Sequence, residues 1–214
     1  MSEKLIASKV TEYLNSLVPP REPELQKMED YGREHSFPII GPSVGNLCYL
    51  IAKLIKARSV FEMGSGYGYS TAWFARAVME NGGGVVHHVV WDKALSSQAR
   101  QHLSALGYGE VVKYTVGEAV QALRDQAGSF DLIFNDIDKH AYPESLEVIS
   151  ERLKPGGVLM VDNMLMSGRI FESSNKSAGV EGVKVMTNRI AQSPNWISAI
   201  VPIRDGVLLA TKQG

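Results

Sequence analysis

The chain has 214 residues, a formal net charge of -1 and a single cysteine. That length suits one α/β domain around one core, below the roughly 250 residues at which chains tend to divide. The near-balanced charge excludes bulk electrostatic attraction to nucleic acid or membrane, and the lone Cys48 excludes an intramolecular disulfide and a multi-cysteine metal cage.

The opening "MSEKLIASKVTEYLNSLVPP" mixes charge with apolar residues and so lacks the signal-peptide apolar core of about 7–15 residues. Nothing approaches the roughly 18 apolar residues of a membrane span, so a soluble, cytoplasmic protein is expected. Leu5, Val10, Tyr13, Leu14 and Leu17 form a helical stripe ended by Pro19 and Pro20, and a charged helix follows over about residues 22–35. These two read as a helical appendage, residues 1–35, ahead of a core over 36–214. In "GPSVGNLCYLIAKLIKARS" apolar residues recur at helical spacing, with Ser43 as N-cap.

From there strands and helices alternate. "SVFEMG", "GVVHHVVW", "VVKYTV", "DLIFND" and "GGVLMVDN" read as strands. "STAWFARAVM", "LSSQARQHLSAL", "EAVQALRDQ" and "PESLEVISERL" read as the helices between them, with Gly107 closing the second and Pro143 in the first turn of the last. The apolar runs before Asp136 and Asp162 lack alternation, as strands covered on both faces do, and the pattern indicates a parallel, doubly wound sheet. "WISAIVPIRDGVLLATK" then reads as an antiparallel hairpin turning at Arg204-Asp205-Gly206, at the sheet edge.

In such a sheet ligands bind beyond the carboxyl ends of the strands. In "FEMGSGYGYS" the glycines at 64, 66 and 68 allow close backbone approach, but the dinucleotide fingerprint would need a third glycine where Tyr69 stands. Glu62 repels a pyrophosphate and suits a cationic ligand, of which the sulfonium S-adenosylmethionine is one. Asp136, in "NDIDK", and Asp162-Asn163, in "VDN", each end an apolar strand, and an oxygen-only donor set of this kind favours Mg²⁺, with Ca²⁺ or Mn²⁺ open. Lys139, three residues after Asp136, can reach the same point, where a divalent cation and partial burial disfavour the ammonium form and suit a general base. His87 and His88 point to opposite faces of one strand and read as packing residues, and His140, the histidine near the proposed centre, is left as a candidate substrate contact with no assigned role.

With these motifs in place the chain resembles the class I, cation-dependent O-methyltransferases that use S-adenosylmethionine, the group of catechol and caffeoyl-CoA O-methyltransferases. The carrying segments are "FEMGSGYGYS", "FDLIFNDIDKHAY", "LKPGGVLMVDN" and "PIRDGVLLATK", and the likeness runs from about residue 36 to 212. It implies a Rossmann-like, doubly wound α/β fold with a seven-stranded, mostly parallel sheet and an antiparallel last strand. It also implies that Glu62, Gly64, Ser65, Gly66 and Ser70 hold the donor's amino acid moiety. Gly117, Glu118 and Ala119 would lie along its adenine, and Asp136, Asp162 and Asn163 would bind the metal, with Asp136 also near the donor and Lys139 as base. One departure stands out: the acid that grips both ribose hydroxyls in the family falls on Val90, and Asp92 is the nearest carboxylate.

The expected reaction is in-line methyl transfer to an oxygen of a metal-bound, catechol-like acceptor, under a lid formed by "SGRIFESSNKSAGVEG". Hydroxyuridine in tRNA is the alternative acceptor. A nicotinamide-dependent oxidoreductase and a non-catalytic donor-binding protein are the readings from other classes. The resemblance suggests a homodimer, through the N-terminal helices.

Overall fold

In the computed structural model the backbone is described over residues 3–214 and side chains from residue 8 onward, so Met1, Ser2 and the side chain of Leu5 lie outside the described residues. Helices α1 (Glu3–Ser16), α2 (Pro23–Glu34) and α3 (Gly41–Leu54) precede the first strand, β1 (Ser59–Met63). There follow α4 (Tyr69–Glu80), β2 (Val85–Val90), α5 (Lys93–Ala105), β3 (Val112–Val116), α6 (Ala119–Arg124) and β4 (Phe130–Asn135). The chain continues through α7 (Tyr142–Arg152), β5 (Leu153–Val161), α8 (Ala178–Gln192), β6 (Trp196–Val201) and β7 (Val207–Lys212).

The seven strands lie in one sheet in the order β3-β2-β1-β4-β5-β7-β6. Pairings among β1 to β5 are parallel, while β7 runs against both β5 and β6, so β7 alone is reversed. The expected antiparallel last strand is therefore present, with β6 as the edge and β7 inserted between it and β5. Because successive side chains of a strand point to opposite faces, β1 to β5 feed two cores. One, under α2 to α5, holds Met28, Cys48, Phe74 and Phe134; the other, under α6 to α8, holds Phe61, Ile133, Ile149 and Met186.

Helix α2 is more than an appendage. Leu25 and Met28 are buried in the first core, and the Tyr67 hydroxyl donates to the Met28 carbonyl at 2.8 Å. The N-cap assigned to Ser43 is also corrected: α3 begins earlier, Ile40 occupies the cap position, and the Ser43 amide donates to Asn15 Oδ1 inside the first turn. Gly107 closes α5 with φ +78°, and Pro143 sits in the first turn of α7, both as expected. Among the described residues no helix is long and apolar enough to cross a membrane.

Candidate active site

Register places the site. Met63, Asn135 and Val161 pair across β1, β4 and β5, so the three strands end level. The residues after them are tied together by backbone bonds, Asp136 N to Met63 O at 2.9 Å and Asp162 N to Asn135 O at 3.2 Å. Gly64 lies in this row at φ +86°, where an added Cβ would fall on the Asp136 carbonyl oxygen. Only glycine lets β1 and β4 open their loops side by side. These strand ends border a cavity of about 380 Å³, lined by Gly64, Ser65, Gly66, Ser70, Gly117 and Ala119 on one side and by Asp136, Lys139, Asp162 and Asn163 on the other. The two charged breaks predicted after the fourth and fifth strands thus meet.

On the acidic side, Lys139 Nζ donates to Asp136 Oδ1 at 2.6 Å and to the Ile137 carbonyl at 3.1 Å. Arg204 Nη1 donates to Asp162 Oδ2 at 3.2 Å, and the Asn163 amide donates to Asp162 Oδ1 at 2.8 Å. Burial raises both carboxyls above the ordinary aspartate range; the charge of Asp136 adds to the rise at Asp162, while Lys139 and Arg204 oppose it. The buried Tyr142 hydroxyl donates to the Asp162 carbonyl at 2.9 Å and fixes the backbone there.

Lys139 opens a short 3-10 turn, Lys139–Ala141, whose position depends on α8. A Cβ on Gly182 would fall on the Lys139 carbonyl oxygen, so the turn and the helix touch backbone to backbone. This corrects the reading of "SGRIFESSNKSAGVEG" as lid throughout: its last residues, with Gly179 and Gly182, belong to α8 and support Lys139.

The Gly-rich side is arranged differently. Glu62 is fully buried beneath the loop, accepting from the Ser70 and Thr71 hydroxyls, and Thr71 Oγ1 in turn lies 3.0 Å from His88 Nδ1. Bonds of this kind contribute about 1.5–3 kcal/mol each, yet burial outweighs them and lifts the Glu62 carboxyl to about 7. Ser70 therefore faces the cavity, with Glu62 behind it. His88 and His87 are packing residues as expected, lowered by burial to about 3 and about 4, and His87 stacks on Phe61 at 5.6 Å.

Besides Glu62, expected to hold the donor's amino acid moiety and instead buried behind the cavity wall, two expected donor contacts are turned elsewhere. Asp92 is the N-cap of α5, its Oδ1 accepting from the Leu95 amide at 2.9 Å, and it is not part of the cavity wall. Glu118 caps α6 with both oxygens, on Val120 N at 2.8 Å and Gln121 N at 2.6 Å, while its neighbours Gly117 and Ala119 line the cavity. A free carboxylate just before a helix is taken by that helix's unpaired N–H groups. Val90 itself lines the wall beside the exposed Trp91.

Sequence reasoning missed Trp91, the segment Phe37 to Ile40, and Arg204, all on the cavity wall. The apolar "SFPII" between two helices was a usable signal for the second.

Residues 23–213 match the family described as O-methyltransferase. The chain belongs to the O-methyltransferase family. Its methyltransferase relatives include the catechol O-methyltransferase of Niastella koreensis, 29% identical over 149 residues, 68% of this chain and 66% of that one. A Mycobacterium tuberculosis protein named "Probable O-methyltransferase" is 30% identical over 175 residues, 81% of this chain and 77% of the relative. Among solved structures, the O-methyltransferase TomG of Streptomyces achromogenes, involved in tomaymycin synthesis and crystallised with SAM, superposes with TM-score 0.89 at 28% identity over all of both chains. The Bacillus cereus O-methyltransferase in complex with SAH superposes with TM-score 0.86 over 96% of this chain and 97% of that one, and at 24% identity it carries the fold alone. The protein is an S-adenosylmethionine-dependent O-methyltransferase.

Proposed function

We propose that this methyltransferase transfers the methyl group to a hydroxyl of a catechol-like small molecule, with a divalent ion held by Asp136, Asp162 and Asn163 and with Lys139 as the base. The observation that carries the reading is the meeting of all four side chains on the cavity that the Gly-rich loop also borders.

The donor set fits a hard cation. Burial and the charge of the neighbouring Asp136 raise the proton affinity of Asp162, a tension that a divalent ion would relieve, and the Asn163 side-chain N–H donates to Asp205 Oδ2 at 3.2 Å, leaving the amide oxygen free. Among the described residues no three His, Cys, Asp or Glu side chains form a metal-like cluster, so the amide oxygen is needed as third ligand. When bound, the ion orients two neighbouring acceptor oxygens and stabilises the deprotonated one. Lys139 Nζ, whose bond to Asp136 Oδ1 keeps it at the cavity, receives the acceptor's proton when it is in the neutral amine form, becoming the ammonium. Gly64 and Gly66 let the backbone lie close to the donor's amino acid end, and Ser70, braced by Glu62, supplies a hydroxyl oxygen there. Val90, Gly117 and Ala119 give the nucleoside an apolar shelf. Holding donor and acceptor in line supplies up to roughly 7–11 kcal/mol of barrier reduction. The mostly exposed residues 167–177 form the lid over the acceptor.

The test is methyl incorporation from labelled donor into a catechol panel and into bulk tRNA, with and without EDTA. Metal-dependent labelling of catechols is the expected result, and labelling of tRNA alone overturns the substrate assignment. Asp162→Asn should also lose Mn²⁺ binding measured by electron paramagnetic resonance.

A further inference from the structure

Arg204 lines the cavity but takes no part in donor binding or proton transfer as read above. It stands in the β6–β7 turn at φ +51°, in the left-handed region, where a non-glycine residue costs roughly 1–2 kcal/mol. The turn is held in place nonetheless. Leu165 N donates to the Asp205 carbonyl at 2.8 Å and Met164 N to the Gly206 carbonyl at 3.0 Å. Asp205 spends both carboxylate oxygens on its own neighbours, accepting from Ser167 N at 2.5 Å and from Asn163 Nδ2. The acidic groups near the guanidinium are thus Asp162, which it touches, the adjacent Asp136, which is paired with Lys139, and Asp205, which is occupied.

Neutralising Asp162 does not exhaust Arg204. Its only hydrogen bond to the described residues is the end-on contact from Nη1 at 3.2 Å, longer than the 2.7–2.9 Å typical of a strong charge-assisted bond. The side chain is 31% exposed at the cavity. A guanidinium has five N–H donors in a planar fork, so four remain, and the fork matches a carboxylate. A neutral diol offers hydroxyl oxygens that accept singly, but no anion that matches the fork.

We propose that Arg204 is a specificity-determining residue that docks a carboxylate of the acceptor, so that the preferred substrate is an aromatic diol bearing an acid group. The diol part rests on the methyl-transfer reading; the acid part rests on Arg204. Lys139 and Arg204 stand on the same cavity side as Asp136 and Asp162, and if the two carboxylates held a divalent ion they would need the guanidinium less, leaving its fork to the acceptor.

The test compares 3,4-dihydroxybenzoate with its neutral counterpart 3,4-dihydroxybenzyl alcohol, by calorimetry on the full chain with Mg²⁺ and S-adenosylhomocysteine. The wild type should bind the acid about tenfold more tightly, the size of one charge-assisted contact. Arg204→Gln should bring the two affinities together and Arg204→Lys should restore part of the gap, with melting temperatures checking that both variants fold. The ratio cancels any change at Asp162 common to both ligands. Equal affinities in the wild type, or a gap that survives Arg204→Gln, overturns the proposal. Methyl transfer assayed on both compounds separates the two readings: turnover without acid preference removes the role of Arg204 alone, whereas Arg204-dependent acid binding without turnover upholds it and removes the catechol assignment.

Discussion

The two halves of the sheet meet at one cavity and treat their charges in opposite ways. On the β1–β2–β3 side every carboxylate near the cavity is occupied internally: Glu62 by two hydroxyls, Asp92 and Glu118 by helix N-termini. What that side offers a ligand is backbone, a serine hydroxyl and apolar surface. On the β4–β5–β7 side Asp136, Asp162, Lys139 and Arg204 all face the cavity, and their ion pairs are with one another. The first half therefore recognises by shape and amide groups, and the second by charge.

That contrast can be broken from either side. The largest effect is expected at Lys139. If it moves the proton, Lys139→Ala should lower kcat by about 10²–10⁴-fold while calorimetric affinity for S-adenosylhomocysteine, a property of the other half, stays within twofold; retained turnover would falsify the assignment of the base.

Glu62 comes next. Its carboxyl holds a proton to about pH 7 in the folded chain against an ordinary 4.5, so the folded state binds the extra proton and stability declines as pH rises through that window. His87 and His88 act oppositely: lowered from 6.5, they contribute stability that is complete above 6.5 and is lost as pH falls. Subtracting the melting curves of Glu62→Gln from those of the wild type removes the histidines. The difference should drift by up to about 3 kcal/mol between pH 4.5 and 7, at 1.36 kcal/mol per unit; a flat difference means that Glu62 is ionised throughout.

Gly182→Ala forces α8 off the Lys139 turn, and overpacking of this kind costs about 1–3 kcal/mol. Thermal melting should register it, accompanied by slower turnover with donor affinity retained. The smallest change is expected from Val90→Asp, which gives the apolar shelf the acid it lacks. Tightening of S-adenosylhomocysteine by about tenfold is predicted, and an unaltered affinity would show that the ribose contact is not limiting.

Much of this was readable from the chain because it was local. An apolar run closed by an aspartate, directly in "VLMVD" and after one asparagine in "LIFND", is enough to set Asp136 and Asp162 on one edge of a parallel sheet, and "FEMGSGYGYS" declares a glycine-dependent loop. What escaped depends on neighbours distant in sequence. Asp92 and Glu118 look like free acids until the helices behind them claim their oxygens. Gly182 looks like loop composition until α8 is seen against the Lys139 carbonyl. Arg204-Asp205-Gly206 is correctly a tight turn, yet nothing in its spelling says that β7 slots beside β5 and so delivers the turn to the cavity.

The insertion of β7 between β5 and β6 bears on how the enzyme is made. A ribosome releases β5 long before β7, so a nascent chain carries the Asp162 strand with one side unmatched until its reversed partner arrives. Stalled or clipped products lacking those closing residues would keep the glycine loop but present an open strand to their surroundings, where self-association rather than catalysis is the expected fate.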